Sequence, residues 1–286
     1  MRKKTAYRKF GHTGTLDPFA SGLVILCLNK ATKLSSFIIN SNKDYLVKIE
    51  LGKKTDTGDR DGNIILQEEP SLPSKDIVDK AINQIRNLRT QVPPSYSAKK
   101  INGKAAYKYA RKGIQLNLQP QKITIHSFDI ISFTDNIIVY RTKVSKGTYI
   151  RTLSETFAEY LGNIAYTKDL RRFSIGNISV KDAVKPSSLN ADNWLKYLKP
   201  INSLKWDYPI IHLKKREICR FMVGNTVKLS ESFYDDHRNE YLANHCELKE
   251  NQVIVFAAEA YNEIIENDCL GIAHIDKNNL YPKKVL

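Results

Sequence analysis

One carboxylate stands out by its setting: Asp17, at the end of Gly11-His12-Thr13-Gly14-Thr15-Leu16-Asp17-Pro18. Two glycines and a proline impose a tight, irregular backbone there, which can hold the acid rigidly and let a bulky group come close. The apolar run Leu23-Val24-Ile25-Leu26-Cys27-Leu28 follows and reads as a buried strand. Carboxylates are seldom left beside a core without a partner. An aspartate that merely caps its own turn is the plainer alternative. Further segments weigh against it.

The first of these is Ser145-Lys146-Gly147-Thr148-Tyr149-Ile150-Arg151-Thr152. Gly147 allows a sharp turn between a strand and a helix, and Tyr149 and Arg151 fall on one side of an extended backbone. An arginine delivered at such a junction can lie against a carboxylate from elsewhere, Asp17 being the candidate; a plain surface arginine is the alternative. Pro93-Pro94-Ser95-Tyr96-Ser97-Ala98-Lys99-Lys100 opens a basic stretch holding Lys99, Lys100, Lys104, Lys108, Arg111 and Lys112, with Tyr107 and Tyr109 between them and no acid. Cations for phosphates and tyrosines for stacking suit an RNA surface, although a solvated helical face would look the same.

Other chemistries find less support. The loop from Thr55 to Gly62 invites a calcium reading, with Asp59, Asp61, Gly62, Ile64 and Glu68 at EF-hand spacing from Thr57. Threonine stands at the first ligand position, however, and a strand precedes the loop where a helix should. The histidines form no metal-binding spacing, and no Walker or dinucleotide glycine loop occurs, so no metal and no cofactor is expected. Cys27, Cys219, Cys246 and Cys269 are too scattered for a zinc site or a disulfide framework, which points to a reducing compartment and a cytoplasmic location. No stretch has the length and apolarity of a membrane span or a signal peptide, so no membrane is expected.

The net charge of +15 is unevenly placed. Residues 1–200 carry 34 Lys+Arg and 17 Asp+Glu, whereas residues 201–286 carry 11 and 13. A one-sided excess of this kind suggests a polyanion partner for the first part, nucleic acid before membrane.

These residues need a scaffold. Ala31–Ser41 reads as a short helix, and Asp44–Leu51 as a half-buried strand with Tyr45, Val47, Ile49 and Leu51 inward and Lys48 and Glu50 outward. A helix capped by Ser74 is predicted to run to about Gln91, and a short basic helix near Lys104–Lys112. Strands follow at Lys122–Phe133 and Asn136–Ser145, then a helix at Arg151–Leu161 stopped by Gly162. Asn190–Leu198 is read as a last helix and Lys199–Pro209 as a linker. Val253–Ala258 and Leu270–Ile275 suggest a small β-rich domain. The class is α+β with a mixed, mostly antiparallel sheet flanked by helices, divided into a domain over 1–200 and a smaller one over 201–286.

In order and spacing the segments resemble the TruB family of tRNA pseudouridine synthases, which isomerise uridine 55 in the TΨC loop. The resemblance runs from Gly11–Pro18 through Ala31-Thr32-Lys33, Lys43-Asp44-Tyr45, Gly52–Asp59 and Pro93–Ala98 to Lys146–Thr152 and Leu170-Arg171-Arg172. It implies a pseudouridine-synthase catalytic domain, a C-terminal PUA-like RNA-binding domain, tRNA bound by its T-arm, and a monomer needing no protein partner. Asp17 would be the catalytic aspartate, Arg151 its partner, and Tyr45 the aromatic that stacks on the target uracil. His12 would occupy space vacated by extruded bases, Tyr149 and Leu170 would line the pocket, and Asp59 would support polar contacts. Lys99, Lys100, Lys146 and Arg171 would bind RNA. The carboxylate could serve as nucleophile or as base. A guide-dependent synthase subunit and a non-catalytic tRNA chaperone share the basic surface, but the chaperone has no need of Asp17.

Two departures accompany the resemblance. Family members carry a segment with a Lys-Pro pair ahead of the Gly-His motif, whereas here ten residues precede Gly11 and the Lys-Pro pairs are Lys185-Pro186 and Lys199-Pro200. The expectation is a missing first strand and an open sheet edge. The acidic balance of the tail also predicts only weak or local phosphate contacts there.

Overall fold

Period-two alternation makes Lys43–Leu51 the middle of the larger sheet, with Val47, Ile49 and Leu51 almost wholly buried. The computed structural model describes residues 9–286 except 102, 115, 205, 207, 230–251, 259–263, 265–267 and 277. The residues ahead of Lys9 and Cys246 therefore lie outside the described part, as does the expectation about a first strand.

On one side of the central strand runs Ile137–Val144, with Tyr140 opposite Val47, and beyond it Ile125–Thr134. On the other side runs Ala165–Ile175, with Leu170 opposite Val47. These pairings are antiparallel; the Ser21–Gly22 strand adds to Ala165–Ile175 in parallel. Helices Lys75–Arg86 and Ile150–Tyr160 cover the core face. Phe128, Tyr140 and Phe157 cluster beneath them, with ring centroids of Phe128 at 4.4 Å from Tyr140 and 4.7 Å from Phe157. Each such side chain contributes roughly 1.5–3 kcal/mol by leaving water. The Tyr140 hydroxyl is satisfied at 2.8 Å by Ser154 Oγ, so the core carries no orphaned phenol.

A second, five-stranded sheet is ordered Ile210–Leu213, Gln252–Ala257, Cys269–Asp276, Asn279–Val285, Val227–Lys228. Helix Lys215–Met222 packs on it through Ile218 and Phe221. The two sheets meet through Leu34 and Phe37, which share a buried cluster with Tyr208, Ile254, Phe256 and Ile272. Lys33 Nζ donates to the Val285 carbonyl at 2.5 Å, and Lys284 Nζ to the Lys33 carbonyl at 3.2 Å.

Several expectations need correction. The Leu23–Leu28 run is a short edge, not a buried strand: only Leu26–Leu28 pairs, with Phe10–His12, and Val24 and Leu26 are exposed while Leu23 and Cys27 are buried. The Ser74-led helix stops at Arg86, because Thr90–Gln91 pairs with Gln121–Lys122 instead. Asn190–Leu198 holds only a 3-10 turn at Trp194–Tyr197. Leu195, Tyr197 and Leu198 are exposed, and Asn190 and Asn193 side chains bind backbone N–H groups that a helix would use. The basic helix shrinks to Ala106–Ala110. Glu50, expected in solvent, is buried against Lys53, Lys168 and Tyr166.

Candidate active site

The Ile150–Tyr160 helix presents Arg151 in its first turn, and Gly147, at φ +81°, makes the sharp turn that leads into it. The Arg151 guanidinium grips Asp17 as a fork, Nε to Oδ2 at 2.9 Å and Nη2 to Oδ1 at 3.0 Å. Nη2 also donates to the Tyr96 carbonyl at 2.9 Å, and Nη1 to the Thr57 carbonyl at 2.7 Å. Asp59 Oδ2 lies 3.4 Å from Nη1. Four hydrogen bonds thus engage Nε and both Nη atoms of the guanidinium, with Asp59 as a second ion partner. The open member of the pair is Asp17, whose side chain is 33% exposed against 6% for Arg151.

The Asp17 loop is closed from behind by Arg172, one of the largest fully buried side chains. Its Nε donates to the Leu23 carbonyl at 2.8 Å and its Nη2 to the Gly14 carbonyl at 3.0 Å, so one guanidinium ties together the two arms of the loop. Gly22 is required there. It sits at φ +106°, and a Cβ on it would stand 2.2 Å from the Arg172 carbonyl oxygen. Arg60 pins the loop from its other side, Nη2 to the Phe19 carbonyl at 3.3 Å.

Beside the acid lie Tyr45 and Tyr149. Tyr45 and Leu170 belong to one buried apolar cluster with Phe19. Burial pushes the Tyr45 hydroxyl up from its usual range; the adjacent Arg172 opposes this and the Asp17 charge adds to it. Burial also raises the Tyr149 hydroxyl, with Ser97 and Arg151 pulling the other way and Asp17 again adding. Asp59 is likewise raised by burial, against the hydrogen bond from Thr57 Oγ1 at 2.7 Å, the charge of Arg151 and the Asp61 N–H at 3.1 Å. Its oxygens are thereby engaged within the protein, as Asp56 is with Asn63, which leaves the calcium reading no advantage.

Asp17, Arg151, Asp59, Tyr45 and Tyr149 are therefore brought together, and Leu170 lies in the apolar core that also holds Tyr45. His12, Lys99, Lys100, Lys146 and Arg171 lie outside that cluster. His12 is exposed on the Phe10–His12 strand, and Lys100 on the Lys100–Ile101 hairpin strand beside half-buried Lys99. Lys146 is exposed and donates to Asn40 Oδ1 at 3.1 Å, while Arg171 is exposed with its guanidinium 5.7 Å from the Phe173 ring centroid. The inward arginine of that pair is Arg172. Sequence reasoning missed it because the strand Ala165–Ile175 was not recognised. It also missed Gln91 and the carbonyls of Thr57 and Tyr96, which side-chain type cannot reveal.

A rigidly held, partly exposed carboxylate beside two tyrosines can act as nucleophile or as base. Comparison with known proteins narrows this. Residues 2–150 match the family described as TruB family pseudouridylate synthase (N terminal domain). A tRNA pseudouridine synthase B of Clostridium kluyveri is 37% identical over 79% of this chain and 77% of its own length, and that of Aquifex aeolicus is 36% identical over 82% and 83%. Among solved structures, a Cbf5-Nop10-Gar1 complex contains a chain that superposes with a TM-score of 0.67. It covers 98% of this chain and 77% of that one at 17% identity, a likeness of fold. The fold is thus that of a pseudouridine synthase with a C-terminal PUA-like sheet domain, and the chain belongs to the TruB family of pseudouridylate synthases.

Proposed function

We propose that this protein isomerises uridine 55 in the TΨC loop of tRNA to pseudouridine. The observation that carries the reading is the Asp17–Arg151 fork, with its half-buried carboxylate beside Tyr45 and Tyr149. The reaction breaks the ribose C1′–N1 bond, turns the uracil, and joins C1′ to C5; the C5 hydrogen leaves as a proton while N1 gains one. No oxidant or external group is consumed. A stacked uracil cannot reach a recessed acid, so the nucleotide flips out at a cost of a few kcal/mol. Stacking on Tyr45 returns roughly 1–3 kcal/mol of that cost. Leu170 and Tyr149 bound the ring, Arg151 and Asp59 hold Asp17 in register, and His12 fills the gap left in the RNA loop.

In this reading residues 1–200 perform the chemistry and carry the cationic surface, including Lys99, Lys100, Lys146 and Arg171. Residues 201–286 form the smaller RNA-binding domain. The protein works as a monomer in the cytoplasm; no helix of the described residues is long and apolar enough to cross a membrane. The test is release of tritium from tRNA labelled at uracil C5. Parent protein should release one equivalent from a transcript with uridine at position 55 and none when cytidine replaces it. Bound but unreacted tRNA in the first case would refute the reading, and equal release from both would refute the choice of nucleotide.

A further inference from the structure

Two glutamines tie the start of the Ile150–Tyr160 helix to the root of the basic segment. Gln91 is 4% exposed, and its amide meets both backbone groups of Tyr149. Its Nε2 donates to the Tyr149 carbonyl at 3.1 Å, and the Tyr149 N–H donates to its Oε1 at 2.8 Å. A side chain here does what a neighbouring strand would do. Gln121 is the direct cross-strand partner of Gln91, and its Nε2 donates to the Gly147 carbonyl at 2.5 Å. A Cβ on Gly147 would come within 3.3 Å of that same nitrogen. The short ladder of Thr90–Gln91 and Gln121–Lys122 thus holds three backbone groups of the turn that delivers Tyr149 and Arg151.

The same ladder is where residues 92–120, with all the cations from Lys99 to Lys112, leave and re-enter the fold. That segment reaches the site a second time through the Tyr96 carbonyl on Arg151 Nη2. We infer that Gln91 and Gln121 are positioning residues, a clip through which RNA held by the basic segment sets Arg151 and Tyr149 for the reaction. The inference rests on the reading of Asp17 and Arg151 given above. Its physical basis is the anchoring of Arg151. Four hydrogen bonds tie its guanidinium to Asp17, Thr57 and Tyr96, so a displacement of the backbone at Tyr149 loosens the fork on Asp17.

The test uses the full chain with Gln91→Leu and Gln121→Ala. Single-turnover tritium release, tRNA affinity, and amide hydrogen exchange over residues 147–153 are measured on each. Misplacing a catalytic group by about an ångström slows reactions about 100-fold, so Gln91→Leu should slow release about 30- to 100-fold and Gln121→Ala about three- to tenfold. Affinity for tRNA should stay within about twofold, because neither side chain is placed on the RNA surface. Both variants should exchange faster than parent at Tyr149. On an Arg151→Lys background, Gln91→Leu should cost less than about threefold more, since residues acting through one another are not additive.

A glutamine that serves only stability would cost the same factor on both backgrounds, and that result overturns the inference. Parent-like release by either variant overturns it as well. If Gln91→Leu does not fold, Gln121→Ala decides alone, because its side chain lies at the outer edge of the turn. A parent protein that releases no tritium would sink the functional reading, while the exchange data would still judge the clip: unchanged exchange refutes it.

Discussion

Glu50 collects Lys53 Nζ at 3.0 Å, Lys168 Nζ at 2.6 Å and the Tyr166 hydroxyl at 2.8 Å, whereas among the described residues the Asp17 side chain takes only the fork of Arg151. The Glu50 side chain is 8% exposed and that of Asp17 33%. Both acids are built into the larger sheet region, and both are paired. What separates them is how much of the carboxylate is left over. Donors converge on Glu50 from two strands, Tyr166 and Lys168 from Ala165–Ile175 and Lys53 from Lys53–Thr55, so nothing from solution can use it. Asp17 is held by a cation that is itself anchored on the Thr57 and Tyr96 carbonyls, and its side chain stays partly accessible. Glu50 is closed in service to the fold; Asp17 is fixed and left partly accessible, as the proposed chemistry requires.

Removing the shared cation of the working site should have the largest effect. Arg151→Ala leaves Asp17 and Asp59 without their countercharge. Tritium release should fall about 100- to 1,000-fold, and unfolding in urea should show a loss of about 3 kcal/mol, as expected for an uncompensated buried partner. A variant with parent stability and release would erase the distinction between the two acids.

Glu50→Gln should do the opposite: release within about twofold of parent, but stability lower by about 2 kcal/mol at neutral pH, allowing for the half-exposed lysines. Burial alone would raise the Glu50 carboxyl, but hydrogen bonds from Lys168, Lys53 and Tyr166 outweigh it and hold it at about 2. With a folded value below the unfolded one, its contribution is complete above about pH 4.5. It is lost as pH falls toward the folded value of about 2. The gap between parent and Glu50→Gln in urea midpoints should therefore close across that window. A gap that persists at its lower end would contradict the ion cluster as its source.

The smallest effect is expected from the cationic surface. Changing Lys99 and Lys100 together to Ala should weaken tRNA binding several-fold and reduce the log–log salt slope by about 2, with release at saturating tRNA unchanged. An unaltered slope would remove these lysines from the RNA surface.

Much of this was legible in the sequence, for identifiable reasons. Asp44–Leu51 announces itself because its alternation is unbroken. The Ile150–Tyr160 helix does so because Gly147 and Gly162 punctuate it while Leu153 and Phe157 recur at helical spacing. Ala165–Ile175 stayed hidden because two register shifts break its alternation and Arg172 takes an inward place that a hydrophobic pattern reserves for an apolar residue. Glu50 was misplaced because its partners come from residues over 100 positions away as well as from Lys53. The Gln91 clip left no trace, since a glutamine serving as a strand looks like any other glutamine. Asp17 and Arg151 are 134 residues apart, and no local pattern joins them; only the folded chain does.

The most direct test of the whole account compares parent protein with Asp17→Asn in single-turnover tritium release and in tRNA binding. The amide keeps the size of the acid and can still accept from Arg151. Binding should be retained while release falls below detection. Release at the parent rate by Asp17→Asn would contradict the account at its centre.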